Sequence, residues 1–364
     1  MTESVYLNEL VDIYLGLTHT PEYVLDGVPF LSVKNISSGT IDFSQCNYIT
    51  EEEYNSLPNG AKPQCGDMLF CRVGTIGKPV IIEEDTPRFG SFVSLGFFRV
   101  KDNNLCKLKY LYYWMYSESF YSQVRKNVKG ASQVNLNTGW LKNFRLPLYS
   151  LATQAEIVQK LEEVDRLITL RQEQLEKLDE LVKSRFIELF GDPIRNTQNR
   201  PTTDFINVVK MQRGFDLPVQ DRQQDGGIPV FGSNGALDRH NVAKVQGGGV
   251  ITGRSGTIGK VYYTEGDYWP LNTSLFSVDT HGNNIIYLAY LLQMYDLSRF
   301  TEGTGVPTLN RNKFHDKPII DVPLNEQEQF AVFVKQTDKS KLAIQESLTE
   351  LETLKKALMQ KYFG

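Results

Sequence analysis

One stretch of this chain is written twice. CRVGTIGK, from Cys71 to Lys78, returns as GRSGTIGK from Gly253 to Lys260, an offset of 182. Upstream, GVPF at Gly27 returns as GIPV at Gly227, an offset of 200. Downstream the offset settles at 173: GASQVNLN (Gly130 to Asn137) aligns with GTGVPTLN (Gly303 to Asn310), Leu151 and Gln154 with Leu324 and Gln327, and Phe190 and Gly191 with Phe363 and Gly364. A chain built this way folds as two similar units or not at all. The drifting offset places the length differences in loops of the globular parts. The constant offset marks a rigid element that tolerates none, and a chain that stops at Gly364 predicts a complete second repeat.

The rigid element shows in its period. Ile157, Leu161, Val164, Ile168, Arg171, Leu175, Leu178, Val182, Arg185 and Leu189 follow at alternating steps of four and three, and eight of the ten are apolar. In the same register the second copy gives Phe330, Val334, Thr337, Lys341, Ile344, Leu348, Leu351, Lys355, Leu358 and Tyr362, with seven apolar. Both read as heptad helices, the second the weaker partner. Gly191, Asp192 and Pro193 stop the first. Connectivity then predicts an antiparallel pair: the first globular part enters the N-terminal end of the first helix, the second follows its C-terminal end, and the second helix must run back to bury its seam. Residues 153–190 would form a rod of about 57 Å, with a head at either end and a pseudo-twofold relation between the halves.

Composition fits a folded protein. The 364 residues are 41% apolar and 23% charged, with a net charge of −4, which excludes disorder and fibres and leaves room for two or three domains. There is no apolar run of membrane-spanning length, and MTESVYLNEL lacks a basic and then apolar signal segment, so a cytoplasmic location with no membrane role is expected. Cys46, Cys65, Cys71 and Cys106 form no CxxC pair and no ligand spacing with His19, so they read as reduced thiols rather than a zinc site or a disulfide framework.

The expected domains are residues 1–150, the helix 151–191, residues 192–323 and the helix 324–364. MLFCRV, PVIIEE, GVITGR and KVYYTE read as strands joined in pairs through GTIG turns, and LKYLYYWMYSESFYSQVRK and IIYLAYLLQMYDLSRF read as helices, so each head is a mixed α/β domain. GTIGK is not a phosphate loop: Arg72 and Arg254 stand where GxxxxGK needs glycine, and Pro79 and Val261 follow the lysine in place of Ser or Thr. The glycines fit turns that need positive φ. No DPPY or NPPY tetrapeptide, PD dipeptide, histidine cluster or GxSxG is present, and Glu83, Glu84 and Asp85 read as a solvated loop. The prediction is a non-catalytic protein.

Head, heptad helix, head, heptad helix, carrying GVPF/GIPV, PVFGSNG, RxGTIGK, VNLN/PTLN and a closing ELFGDP, resembles the specificity subunit of type I restriction-modification systems. The resemblance spans the whole chain. It implies that each head is a target recognition domain reading half of a gapped site in double-stranded DNA, and that the helices set the gap. It also implies two methyltransferase subunits and motor-nuclease subunits as partners, which would hold the S-adenosylmethionine, ATP and magnesium, leaving no cofactor in this chain.

Candidate backbone contacts are Arg125, Lys126 and Lys129 in the first head and Arg299, Arg311 and Lys313 in the second. Arg72 and Arg254, with Lys78, Lys260 and Arg213, are candidates for phosphate or base-edge contact. Gln133, Asn135, Ser233 and Asn234 are candidates for base readout, since amides pair bidentately with adenine. Each of these side chains would equally suit a solvated surface or a turn. No segment carries net positive charge: residues 1–150 sum to −1, 151–191 to −3, and both 192–323 and 324–364 to zero. Cations must then be segregated onto one side of each head, and weak DNA binding by the isolated chain is expected. Two other readings stay open. A coiled-coil scaffold or decoy would bind methyltransferase-like partners without sequence readout, and a self-contained nuclease or methyltransferase with degenerate motifs would show activity alone.

Overall fold

A computed structural model describes residues 3–127, 135–303 and 307–364. The chain forms two compact units, residues 1–170 with 347–364 and residues 171–346. Each takes part of both long helices, Leu151–Phe190 and Leu324–Phe363.

The repeat read in the sequence is a repeat of topology. In the first unit a four-stranded antiparallel sheet runs Val11–Leu15, Leu95–Val100, Met68–Cys71, Gly77–Ile81. In the second it runs Lys210–Arg213, Ser274–Asp279, Gly249–Gly253, Val261–Thr264, in the same order. A three-stranded sheet accompanies each, with Val28–Leu31 or Ile228–Gly232 at its centre, one antiparallel neighbour and a short parallel one. Glu3–Tyr6 pairs with Arg145–Leu148, and Thr202–Asp204 with Pro318–Ile320, so the chain entering each head is tied to the strand that leaves it for a long helix.

The GTIG segments join the third and fourth strands of the larger sheets as expected. Gly74, Gly77, Gly256 and Gly259 all have φ between +68° and +91°, a region closed to most side chains. The aromatic helices are each interrupted. Ser117 ends Leu108–Met115 by donating to Trp114 O at 2.6 Å and opens Glu118–Asn127 by accepting from Phe120 N at 3.2 Å. Asp296, at φ +52°, separates Ile285–Tyr295 from the short turn Leu297–Phe300. A serine or aspartate that bonds its own backbone offers the chain an alternative to continued helix.

Within each unit the long helices pack antiparallel. In the first, Lys355 Nζ meets Asp165 at 2.5 Å while Tyr149 OH reaches Tyr362 O at 3.2 Å. In the second, Lys341 Nζ meets Asp179 at 2.5 Å while Phe190 lies 5.7 Å from Phe330. The lysines that interrupt the apolar seam are thus paired with carboxylates of the other helix. Every seam position is buried or half-buried. At the end of the first helix, however, the deepest residues are Phe186 and Phe190, not Arg185 and Leu189. A straight helix drifts about 20° per heptad from a 3.5-residue repeat, and the phenylalanines follow that drift into the core with Val208, Tyr287 and Phe330. In the first unit the seam residues Ile157 and Leu161 are themselves in the core with Leu7, Tyr110 and Trp114, and Phe363, one past the seam residue Tyr362, joins them.

One buried amide fixes each helix to its head. Gln154 Oε1 accepts from Lys107 N at 2.9 Å, and its Nε2 donates to Leu105 O at 2.9 Å and Tyr149 O at 2.8 Å. Gln327 repeats the arrangement, accepting from Asn284 N at 2.8 Å and donating to Val322 O at 2.8 Å and Asn283 Oδ1 at 2.7 Å. Replacing Gln154 by Leu would orphan a buried donor and two acceptors. A loss of about 2–4 kcal/mol of stability is expected in urea unfolding; a loss under about 0.5 kcal/mol would show that the amide does not hold the helix.

Candidate nucleic-acid interface

In both heads the RxGTIG turn is clamped against the VNLN or PTLN loop by the same bond. Leu136 N donates to Arg72 O at 2.9 Å, and Leu309 N to Arg254 O at 2.8 Å. Isolated bridges pair Val73 with Asn135 and Ser255 with Thr308. Asn137 and Asn310 then turn the chain by accepting from the amide two residues on, at 2.7 and 3.1 Å. Two motifs that are distant in sequence therefore form one structural edge.

At that edge the heads diverge. Arg72 is buried, with Nε donating to Leu136 O at 2.9 Å and Nη1 to Val93 O at 2.7 Å. Two of its guanidinium nitrogens are bonded inside the head, a structural role that stands against the expected contact of Arg72 with phosphate or base. Burial lowers its pKa, and the two carbonyls are what make an interior charge tolerable. Arg254 is half-exposed and makes no side-chain bond to any described residue. It lines a cleft of about 270 Å³ with Arg213, Arg311, Thr308, Asn310, Asn312 and Glu302. Glu302 is already engaged, its carboxylate 2.8 Å from Lys313 Nζ. That bond raises the Lys313 pKa.

The other expected residues of the second head surround the same turn. Asn234 Oδ1 lies 3.2 Å from Lys260 Nζ and 3.5 Å from Tyr262 OH. Ser233 is close enough that a Cβ on Gly256 would sit 3.4 Å from its Oγ. Ser298 is as near Gly259, and the neighbouring Arg299 lies over the Tyr295 and Phe300 rings at 4.1 and 4.6 Å.

The first head gathers less. Lys78 is half-buried at φ +46° and Asn135 is exposed. Arg125 is paired with Glu118. Lys126 lines a different cleft, of about 460 Å³, with Gln123, Arg145 and Lys361. Lys129 and Gln133 lie outside the described residues. Sequence reasoning missed Tyr262, Asn310 and Asn312; the asparagines stand inside or beside the PTLN motif, which was the available signal.

His315 follows this loop and is half-buried, with Nε2 accepting from Met211 N at 3.2 Å. Burial first, and then the charges of Arg311 and Lys210, lower its pKa below the ordinary histidine value, while Asp316 opposes them. The unfolded chain therefore binds this proton more readily than the folded one, so stability is complete above about pH 6.5 and falls as the pH drops through that value. His315→Gln should flatten this part of a pH series of thermal unfolding; an unchanged slope would assign it to other groups. Arg72→Met should cost about 2–4 kcal/mol by stranding Leu136 O and Val93 O, whereas Arg254→Met should change stability by less than about 1 kcal/mol. Urea midpoints of the two variants test the contrast.

Among the described residues there is no cluster of His, Cys, Asp or Glu able to hold a metal ion and no helix long and apolar enough to cross a membrane. The four cysteines are free, and burial pushes Cys71 up to about 11 and Cys106 up to about 12.

Comparison with known proteins gives the same doubled pattern. The type I restriction modification DNA specificity domain matches residues 19–180 and again 195–355. The type I restriction enzyme MjaVIII specificity subunit of Methanocaldococcus jannaschii is 26% identical over 199 residues, 53% of this chain and 46% of that one. The chain thus spans about half the length of that curated relative. The crystal structure of the type I restriction-modification S subunit from M. genitalium superposes with a TM-score of 0.61 at 14% identity, covering 100% of this chain and 96% of the other. A structure describing complex assembly and conformational transition of the type I R-M system gives 0.65 at 16%, covering 99% and 97%. With the family pattern matched in both repeats and the fold shared along the chain, the protein belongs to the type I restriction modification DNA specificity family.

Proposed function

We propose that this chain is the DNA-specificity subunit of a type I restriction-modification complex. Each head would read one half of a bipartite, gapped site in double-stranded DNA, and the paired helices would set the gap and dock two methyltransferase subunits, with motor-nuclease subunits joining that assembly in the cytoplasm. The observation that carries this reading is one fold built twice with different side chains at the same edge. Arg72 is buried and bonded where Arg254 makes no side-chain bond to any described residue, so a shared frame supports two unlike recognition surfaces. An asymmetric two-part sequence needs that combination. S-adenosylmethionine, ATP and magnesium chemistry is assigned to the partner subunits, and this chain is read as non-catalytic.

The test is co-expression with methyltransferase and motor-nuclease subunits from the same genome, purification on a tag carried by this chain, and mapping of methylated adenines in host DNA. A stable complex with one gapped motif is expected, and exchange of residues 192–323 for another head should change one half of that motif only. Co-purification without a motif would favour the scaffold or decoy reading, and failure to co-purify would overturn the partner assignment. With no segment of net positive charge, the chain alone should bind its site weakly; tight, salt-sensitive binding without partners, in a filter or anisotropy assay, would contradict this.

A further inference from the structure

We propose that the cleft lined by Arg213, Arg254 and Arg311 in the second head holds the phosphodiester backbone of DNA. The proposal rests on the specificity reading above and assigns that site its ligand chemistry. Three guanidinium-bearing residues from three separate segments line one cleft. Among the described residues none of the three has a carboxylate partner, and the single acidic residue of the lining, Glu302, is held by Lys313. Like charges gathered in this way repel one another unless an anion lies among them. Arginine is suited to that anion because its planar fork of donors matches two phosphate oxygens.

The fold does not require this arrangement. Gly16 and Gly214 are structural equivalents, each donating its amide to the strand that follows the parallel bridge, Gly16 to Leu95 O and Gly214 to Ser274 O. Leu15 therefore stands where the second head has Arg213. Asn137 and Asn310 are equivalent through their turns, which puts Thr138 opposite Arg311. Arg72 stands opposite Arg254 and is spent on backbone carbonyls. The first head thus builds the same edge from a leucine, an internally bonded arginine and a threonine. The cluster belongs to what the second head binds.

A phosphate is favoured over a base because one guanidinium satisfies a guanine edge bidentately, which would leave two charges unanswered. Phosphate and base contacts also differ in a measurable way. Each phosphate contact contributes about 0.9 to the slope of log K against log salt and is indifferent to sequence.

The experiment uses the chain purified with its methyltransferase subunits. Binding to the methylated motif site is measured from about 0.05 to 0.3 M salt for the parent and for Arg213→Gln, Arg254→Gln, Arg311→Gln, Arg254→Lys and Lys142→Gln. Each arginine-to-glutamine change should lower the slope by about 1, weaken specific and non-specific DNA alike by about 5-fold near 0.15 M salt, and leave the methylation motif unchanged. Arg254→Lys should keep most of the slope. Lys142→Gln, in the first head, should lower the slope less than any of the three. Arg213 is exposed at the end of a strand, so its replacement keeps the test informative if Arg254→Gln lowers the melting temperature. A changed base in the motif with an unchanged slope would make the cleft a base reader and overturn the proposal. Unchanged slope and motif in all three variants, with the parent still methylating its motif, would overturn the proposal and leave the specificity reading standing. A parent complex that produces no motif would remove that reading and the proposal with it.

Discussion

The geometry of each unit depends on one buried glutamine. Gln154 and Gln327 are 0% and 1% exposed, and an amide carried that far from water must find partners for both its donors and its acceptor. Each does so on two chain segments at once, the loop before the aromatic helix and the link between the terminal strand and the long helix, and so ties both to the helix that carries it. Hydrophobic burial brings the long helix to the head, but it is not directional. The amide turns that attraction into a fixed approach.

The same frame lets the side chains at the edge of each head vary. The bond from Leu136 or Leu309 to the arginine carbonyl uses backbone atoms only, so it does not depend on which side chains the exposed positions of the edge carry. Arg72 shows one use of that freedom, an arginine turned inward to close its own loop. Arg254 shows the other, an arginine left facing a cleft shared with Arg213 and Arg311. The side chains of this edge can thus differ without disturbing the core beneath it. Specificity proteins need this separation, because a position that carries both stability and readout cannot change one without the other.

Much of this was legible from the residues. GTIG read as a turn because glycine at two positions suits positive φ, and the heptad seam predicted helices whose seam positions are all buried or half-buried. The interruptions of the aromatic helices were harder to see, since Ser117 and Asp296 act through local backbone bonds that compete with helix and carry no periodic signal. The drift of the buried stripe onto Phe186 and Phe190 was missed because a 3.5-residue seam was extended into a stretch that follows the period of a straight helix.

The sequence by itself determined the repeat, the class of each head, the paired helices and the family resemblance, because these rest on periodicity and on turn residues that act within a few positions. Only the tertiary structure decided which arginines are bonded within the head. Arg72 and Arg254 occupy the same place in the same motif, and their differing neighbours, Cys71 and Val73 against Gly253 and Ser255, do not say where either guanidinium goes. What separates them is the arrangement of partners far along the chain: Val93 and Leu136 take up one guanidinium, while Arg213 and Arg311 stand beside the other.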